Sequence, residues 1–236
     1  MTLLPCETGS NDIGMLNEQP LHAALKAWYA SEGAAVEVNV DGFIVDVVRD
    51  GVLLEIQTGN FSSVKEKMIH LAARHPLRLI YPIARERWLL KLPKKKGGET
   101  KRRKSPKRGR VEEVFKELVS FPELLCRETF SLEVALIREE ELRRYDPARG
   151  WRQHGWVTLE RRLLDVVECH RFERPRDLAV TVPRGLPVPF TTADLAEALD
   201  GPRYLAQKMA YCLRKMGVLT QVGRRRRSKL YVVADA

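Results

Sequence analysis

Hydrophobic and polar residues alternate with a period of two in three short runs near the N-terminus, the pattern of half-buried β-strands. The runs are AVEVNV, FIVDVV and VLLEIQT, and an Asp-Gly pair separates each run from the next, at Asp41-Gly42 and Asp50-Gly51. Asp-Gly between alternating runs is typical of a two-residue β-hairpin turn. The pattern therefore predicts a three-stranded antiparallel meander over residues 35–58.

Apolar residues recur at helical spacing on both sides of this meander. The run PLHAALKAWYASEG predicts a helix that Asn17 caps, and SSVKEKMIHLAARH predicts a second helix whose capping box is Ser63 and Glu66. LRLIYPI and RERWLLKL are predicted as two further strands, VEEVFKELVSF as a helix and SLEVALI as a strand. The predicted order is thus α-β-β-β-α-β-β, then a loop, a helix and a strand.

Turn-forming and charged residues in YDPARGWRQHG indicate a domain boundary near residue 145. We expect a disordered tail over 1–15, a first domain over 16–145, a connecting segment over 146–190 and a second domain over 191–236. Within the connecting segment, WVTLERRLLDVVECHRF fits a helix and a strand equally well. The expected fold class is α/β (α+β): a central mixed sheet flanked by helices, plus a small C-terminal domain of two helices and a β-hairpin.

Positive charge is concentrated in one segment of the 236-residue chain. The formal net charge is +10, and residues 94–110 hold ten Lys and Arg against one acid, Glu99, so this segment alone carries +9. Such a run suits contacts with a polyanion, and it predicts a basic loop over 93–110 in which Lys101, Arg102, Arg103 and Lys104 meet phosphates. A solvated loop whose charge only keeps it soluble, and a nuclear-localisation signal, are the alternatives.

Cysteine and histidine spacing offers no metal-binding or nucleophilic motif. The four cysteines form no CxxC pair and the five histidines form no HxxxH or HExxH pair, so we expect reduced thiols and no zinc site. No apolar run approaches the length of a membrane span, and the N-terminus lacks the features of a secretion signal. These features together predict a cytoplasmic protein without membrane association.

Two carboxylates face each other in the predicted meander. If both Asp-Gly turns are two-residue loops, facing residue numbers sum to 83 around the first and 101 around the second, so Asp46 faces Glu55 and Glu37 faces Asp46. The register also predicts one unbroken apolar face, made of Val36, Val38, Val40, Phe43, Val45, Val47, Val52, Leu54 and Ile56. Facing like charges destabilise a sheet unless water or a cation separates them. The acidic face is therefore either a metal site or a solvent face.

The stretch FIVDVVRDGVLLEIQ, within the α-β-β-β-α-β order, resembles the core of the PD-(D/E)XK (restriction-endonuclease-like) nuclease superfamily over residues 16–92. The resemblance implies that Asp46 and Glu55 hold Mg²⁺ or Mn²⁺ with the backbone carbonyl of Ile56. It also implies that Glu18, on the first helix, joins the site.

The sequence departs from that superfamily at Gln57, where a lysine is usual. Glutamine can orient a water molecule but supplies no positive charge. Lys65 or Lys67, at the start of the next helix, could supply that charge, and we take Lys65 as the candidate catalytic residue. The substitution equally fits a degenerate site that binds DNA without cutting it.

The C-terminal run FTTADLAEALDGPRYLAQKMAYCLRKMGVLTQVGRRRRSKLYVV resembles a winged helix-turn-helix domain. The resemblance implies a helix capped by Thr191, a second helix that enters the DNA major groove and a β-hairpin that meets backbone phosphates. On this basis the second helix presents Arg203, Gln207, Lys208 and Arg214. The hairpin presents Arg224, Arg225, Arg226, Arg227 and Lys229. Winged helices also serve protein–protein contacts, which is the alternative.

The expected function is metal-dependent DNA endonuclease activity, a phosphodiester hydrolysis in repair, recombination, transposition or defence. DNA is the expected partner, and a homodimer stays open. Two alternatives remain. One is a DNA-binding regulator on an inactive nuclease fold, and the other is an interaction protein whose basic segments contact an acidic partner.

Overall fold

The structure is a computed structural model that describes residues 19–94, 98–151 and 154–234. The predicted tail over 1–15, the cap Asn17 and the candidate site residue Glu18 lie outside these ranges. No helix among the described residues is both long and apolar enough to cross a membrane. The regular elements follow in chain order, with short 3₁₀ turns omitted: α1 Pro20–Tyr29, β1 Ala35–Val40, β2 Phe43–Arg49, β3 Val52–Ile56, α2 Lys65–Ala72, β4 Leu77–Lys91, β5 Lys101–Lys104, α3 Phe115–Leu118, β6 Phe130–Tyr145, β7 Trp156–Phe172, α4 Thr192–Ala198, α5 Arg203–Lys215, β8 Leu219–Arg225 and β9 Ser228–Val233.

The predicted meander is confirmed, and local turn chemistry explains its register. Asp41, Gly42, Asp50 and Gly51 all have positive φ, the conformation of the hairpin turn whose twist matches that of the flanking strands. The paired residues of β1 and β2 sum to 83, as in Val38 with Val45. Those of β2 and β3 sum to 101, as far as Val47 with Leu54. Asp46 and Glu55 come next in this register, but the pairing of β2 with β3 ends one position earlier, at Val47 and Leu54.

The prediction of one unbroken apolar face on the meander is wrong. Val45 packs in a cluster with Leu71 of α2, whereas Val47 packs in a second cluster with Leu25 of α1. The two faces of the sheet are therefore covered by different helices, and β2 changes the face it buries at Asp46. Val36, on the outer strand β1, is 52% exposed.

Three long strands extend the sheet beyond the meander. The runs predicted as two separate strands form the single strand β4, with a register shift between Ala84 and Glu86 that absorbs the irregularity. β4 runs parallel to both β3 and β6. The sheet is mixed, with strand order β1-β2-β3-β4-β6-β7, and it has helices on both faces as predicted.

Strand β7 lies within the segment 146–190 that is expected to connect the two domains. Trp156–Phe172 pairs antiparallel with β6 along its whole length, from Leu132 with Phe172 to Tyr145 with Trp156. The turn-rich stretch near residue 145 is therefore the tip of a long β6–β7 hairpin. The strands before and after this tip belong to the same sheet. The proposed division into separate domains stays a prediction.

Part of the predicted basic loop is a strand. Lys101–Lys104 forms β5, which pairs with β4 between Trp88 and Lys91. Because β3 pairs with the first part of β4 and β5 with its last part, both add to the same long strand. The basic residues of β5 are thus held in an extended row.

The C-terminal residues form two helices followed by a two-stranded hairpin. The Thr191 hydroxyl accepts hydrogen bonds from the backbone N–H groups of Ala193 and Asp194, so the predicted cap of α4 is confirmed. Strand β9 also reaches Phe190 through a pair of backbone hydrogen bonds at Tyr231. Leu195, Met209 and Leu213 belong to the same buried cluster as Leu71 and Leu132, so this unit shares its core with the sheet.

Candidate active site

Asp46 lies where β2 and β3 separate, between the two helices that cover the sheet. Its Oδ2 accepts a hydrogen bond of 2.8 Å from the backbone N–H of Ile56. The same oxygen lies 3.2 Å from Nε2 of His22 on α1. The end of regular strand pairing leaves the Ile56 N–H to this carboxylate, which fixes its position.

Glu55 is a buried carboxylate with one paired and one unpaired oxygen. Only 6% of the residue is exposed. Its Oε1 lies 2.5 Å from Nζ of Lys67 on α2, and the same ammonium donates to the Ile44 carbonyl at 2.6 Å. Its Oε2 is buried and has no hydrogen-bond partner among the described residues. A buried acceptor without a partner destabilises the folded protein. Binding a proton or a cation at this oxygen would therefore be favourable.

The two carboxylates have opposite pKa shifts. Burial, followed by repulsion from Asp46, raises the pKa of Glu55 to about 7, although Lys67 acts against this rise. Burial also disfavours the charge of Asp46, but the hydrogen bond and charge of His22, the Ile56 N–H and Lys67 together lower its pKa. The site therefore holds one firmly ionised carboxylate beside one that exchanges a proton near neutrality.

The contacts of Gln57 and Lys65 in the structure differ from those that their predicted roles require. The Gln57 amide nitrogen donates to the Asn60 carbonyl at 2.7 Å and lies 3.0 Å from the Ser63 hydroxyl. Its nitrogen is thus used to shape the turn before α2, and only its oxygen is left for a water molecule. Asn60, not the predicted Ser63, caps this turn by accepting from the Ser62 N–H. The side chain of Lys65 is exposed, and Lys67 rather than Lys65 reaches the carboxylates.

The oxygen donors at this site are of the kind that a hard divalent cation prefers, but they are few. Oxygen ligands from carboxylates favour Mg²⁺ or Mn²⁺, and the unpaired Glu55 Oε2 beside Asp46 provides one. Within the described residues, no group of three or more His, Cys, Asp or Glu side chains could hold a metal ion. Asp46 and Glu55 would thus need the Ile56 carbonyl, water or Glu18, which lies outside the described ranges, to complete a coordination sphere.

The basic strand β5 carries two kinds of cation. Arg102 and Lys104 lie over the Trp88 ring, at 5.2 and 5.0 Å from its centroid. They pair with Glu140 at 2.7 Å and Glu86 at 2.8 Å respectively. Lys101 and Arg103 are exposed and have no ion pair among the described residues. The alternation of a strand thus separates structural cations from those that remain available.

The second helix of the C-terminal unit also divides its predicted contacts. Arg203 and Gln207 of α5 are exposed, and so are Tyr204 and Tyr211. Lys208 instead donates to the Lys116 carbonyl at 2.7 Å, which turns it towards α3. Lys208 is therefore a packing contact in this structure.

The hairpin between β8 and β9 places its arginines at an exposed tip. Four arginines there and Lys229 are exposed. Within the part of the chain that the structure describes, one of them has an ion pair, Arg225 with Asp194 at 3.3 Å. The arginines concerned are Arg224, Arg225, Arg226 and Arg227. Most of the positive charge at this tip is therefore unpaired within the described residues.

Two contacts of the structure were given no role by the sequence pattern. His22 lies one residue after the buried Leu21, and nothing in its spacing distinguishes it from a packing histidine. The guanidinium of Arg110 donates to the Leu199 carbonyl at 2.5 Å, at the end of α4, which ties the basic segment to the C-terminal helices. Lys67 had a signal: it precedes the buried Leu71 by four residues and so shares the inward face of α2.

The region that carries this site corresponds to a known protein family. Residues 19–173 match the model of a family described as Domain of unknown function (DUF8091). The chain belongs to this family. Asp46, Glu55 and Lys67 lie in the matched region, whereas α4, α5 and the β8–β9 hairpin lie beyond it.

A relative with nearly full coverage exists in another organism. An uncharacterized protein of Treponema pallidum (strain Nichols) is 32% identical over 222 residues, which span 93% of this chain and 86% of that protein. Since these residues exceed the family match in length, the similarity includes part of the C-terminal unit. No solved structure has a significant match to the chain.

Proposed function

We propose that this protein is a metal-dependent DNA endonuclease that hydrolyses phosphodiester bonds. The observation that carries the proposal is the buried, unpaired Oε2 of Glu55 beside the ionised Asp46, with the Lys67 ammonium held against the same carboxylate. This arrangement combines oxygen donors for a hard cation with a fixed positive charge. Both are suited to a phosphate-ester substrate.

Asp46, Glu55 and the Ile56 carbonyl are the groups that would hold Mg²⁺ or Mn²⁺. A bound divalent ion lowers the pKa of a water ligand and offsets charge that develops on the phosphate. Asp46 contributes a carboxylate that stays ionised, since its pKa is lowered. Glu55 must lose its proton to contribute a second negative charge.

Lys67 supplies the cation that Gln57 cannot. Its ammonium is anchored on Glu55 and on the Ile44 carbonyl, so it is positioned without a substrate and stays beside the reacting phosphate. Gln57 positions the turn that leads into α2 and can hold a water molecule through its free oxygen. His22 fixes Asp46 from the opposite side of the sheet.

The distribution of unpaired positive charge supports DNA as the substrate. Lys101, Arg103 and the β8–β9 tip project cations that have few acidic partners in the structure. Contacts of this kind bind phosphates and weaken as salt is raised. They contribute affinity, while the paired cations Arg102 and Lys104 stabilise the fold.

A cleavage assay tests the nuclease proposal. Supercoiled, nicked and linear DNA are incubated with the protein in Mg²⁺, Mn²⁺ or EDTA, and Asp46→Asn is compared with Asp50→Asn. The Asp50 side chain is 91% exposed in the hairpin turn, so it is a matched control. We expect the wild type to cut DNA in a metal-dependent way. Asp46→Asn should lower this activity by about 100-fold or more, because it removes a negative ligand. Asp50→Asn should cut as the wild type does.

Absence of cutting in both metals, or equal activity of the two variants, would contradict the proposal.

A second candidate is a DNA-binding regulator on an inactive nuclease-like site. The observation that favours it is that the carboxylates already have partners in the structure, Lys67 on Glu55 and His22 on Asp46, while Gln57 serves the turn. DNA binding that EDTA does not change, together with no cleavage in either metal, is the result that this function predicts.

A further inference from the structure

A cleft about 400 Å³ in volume lies between the middle of β4 and the first turn of α5. Its polar lining includes Ser105, Lys107, Arg108, Glu113, Lys116 and Tyr204. The cleft thus joins the end of the basic segment to the helix that carries the exposed tyrosines. Its size is in the range of small-ligand sites.

One wall of the cleft is fixed to β4 at both ends. The Ser105 N–H donates to the Arg87 carbonyl at 2.7 Å, and the Gly109 N–H donates to the Ala84 carbonyl at 2.9 Å. A Cβ at Gly109 would lie 2.5 Å from Cγ2 of Ile83, so only glycine allows this close approach. Lys107 and Arg108 are therefore presented from a short, anchored segment.

Positive charge in the cleft exceeds the available acid. Lys107 has no ion pair among the described residues, and Arg108 lies 3.8 Å from Glu86. Glu86 is shared, because Lys104 and Arg138 also contact it, at 2.8 and 3.3 Å. Arg138 also pairs with Asp165 at 2.9 Å, so Glu86 is left to Lys104 and Arg108. With Lys107 unpaired within the described ranges, the cleft retains a surplus of positive charge that attracts an anion.

The remaining charged groups leave that surplus in place. Lys116 and Glu113 pair with each other at 3.1 Å, so together they are neutral. The Arg87 guanidinium is directed to Glu139 at 2.5 Å and to Glu141 at 3.3 Å and is likewise balanced. Lys107 and Arg108 are the cations that remain for a ligand.

The shape and polar groups of the cleft suit a phosphate ester. Ser105 lines the cleft, and its hydroxyl accepts a hydrogen bond of 3.3 Å from the Lys107 N–H. Tyr204 is 51% exposed at the start of α5. Hydroxyl donors beside ammonium and guanidinium groups are the usual partners of backbone phosphates.

The cleft lies on the same long strand as the candidate active site. Glu55 pairs with Leu79 of β4, and Ala84 at the cleft is five positions further on. At about 3.3 Å per residue this separates the two by about 16 Å, which corresponds to about five base pairs along a duplex.

We propose that this cleft holds a backbone phosphate of bound DNA, about five base pairs from the carboxylate pair. The inference rests on the proposed function for its ligand, because DNA is the source of the phosphate. It adds a site that joins the basic segment to α5, and it assigns to Lys107 and Arg108 the role of aligning the duplex.

The test measures binding separately from cutting. Fluorescence anisotropy in EDTA follows binding of a labelled duplex longer than the span between the sites, over a series of NaCl concentrations. Lys107→Glu is compared with Lys107→Arg and with Arg127→Glu, a reversal at an exposed residue just before β6, which is outside the cleft lining. Circular dichroism of each variant confirms the fold.

Lys107→Glu is expected to weaken binding about tenfold and to lower the slope of log affinity against log salt by about 1. Lys107→Arg and Arg127→Glu should bind as the wild type does. Equal loss in Lys107→Glu and Arg127→Glu, or no loss in either, overturns the inference, as does absence of duplex binding by the wild type. A wild type that binds in this pattern but never cuts DNA would overturn the nuclease activity alone.

Discussion

Glu55 is the side chain on which opposing electrostatic effects in the candidate site act. Its burial and its proximity to Asp46 both favour the protonated form, and Lys67 favours the ionised form on one oxygen only. The other oxygen is buried without a partner. In the proposed metal site, a divalent cation would compete with a proton for this oxygen, which makes pH a direct probe of Glu55.

The first prediction concerns stability against pH. The folded-state pKa of Glu55, about 7, exceeds its ordinary value of 4.5, so its contribution to stability is complete below pH 4.5 and is lost as pH rises through 7. Over that window the free energy of unfolding should fall by up to about 3 kcal/mol. Denaturant unfolding of the wild type and of Glu55→Gln, in the absence of metal, measures this loss.

Glu55→Gln should remove the decline, whereas Glu66→Gln, at an exposed position on α2, should retain it. Parallel curves for all three proteins would show that Glu55 is not the titrating group. Asp46 acts in the opposite sense and at lower pH, because its pKa lies below the ordinary 3.8. The same competition predicts that Mn²⁺ affinity rises with pH up to about 7.

At the scale of the element, helix α2 determines which lysine reaches the site. Lys67 shares the inward face of the helix with Met68 and Leu71, both fully buried, whereas Lys65 projects to solvent. The turn that starts the helix is shaped by Gln57 and Asn60. Gln57 and Lys67 thus act together, the first by placing the helix and the second by contacting Glu55.

The second prediction compares the two lysines of this helix. Lys67→Ala leaves Glu55 Oε1 without its partner and should lower the free energy of unfolding at neutral pH by about 1–3 kcal/mol, besides reducing DNA cleavage strongly. Lys65→Ala removes a charge of the same helix that pairs with no carboxylate of the described residues, and it should change neither the stability nor the cleavage. Denaturant titration and the cleavage assay provide the two readouts. A larger loss of cleavage in Lys65→Ala would assign the catalytic charge to that residue instead.

Strand β7 is a long edge strand whose pairing with β6 is interrupted by bulges. Its pairing with β6 skips three residues, each an extra residue on β7. All three are exposed and apolar: Leu159, Leu164 and Val167. Bulges bend an edge and interrupt its row of free hydrogen-bonding groups, which discourages edge-to-edge association. This explains how 17 residues of edge strand can contain apolar side chains.

At the scale of the whole molecule, the C-terminal helices complete the core of the sheet. Met209 and Leu213 of α5 share a buried cluster with Phe115 and Leu132, and Arg110 joins the basic segment to the end of α4. The position of α5 relative to β4 is therefore set by packing. This is the arrangement that forms the cleft lined by Lys107 and Tyr204.

The third prediction follows from that shared core. Differential scanning calorimetry of the full chain should show one cooperative transition, because unfolding α4 and α5 would expose the apolar face of the sheet. Removal of residues 191–236 should yield a protein that aggregates or lacks a cooperative transition. Two separated transitions, or a soluble truncated protein that melts cooperatively, would show that the C-terminal unit folds apart from the sheet.

Much of the meander could be predicted because its determinants are local. Asp41-Gly42 and Asp50-Gly51 adopt the positive φ values that a tight hairpin requires, and the register of both hairpins follows from them by counting. Counting one step further in that register brings Asp46 next to Glu55, although the pairing of β2 with β3 ends at Val47 and Leu54. The cap at Thr191 is equally local, since it depends on hydrogen bonds within four residues.

Other features depended on contacts between distant residues. The length of β4 and the strand state of β7 arise from pairing with β6, which no local pattern encodes. The change of buried face at Asp46 and the inward turn of Lys208 follow from the positions of helices that pack there. Periodicity alone could not distinguish these outcomes.

The sequence by itself determined the α+β order, the two hairpins and the adjacency of two carboxylates, because turn conformation and strand alternation act over a few residues. Only the tertiary structure decided that Glu55 is buried, that Lys67 and His22 are the groups beside the carboxylates, and that Lys107 stands in a cleft with spare charge. Burial and charge pairing depend on which surfaces meet, and helices and strands far apart in the chain meet only in the folded molecule.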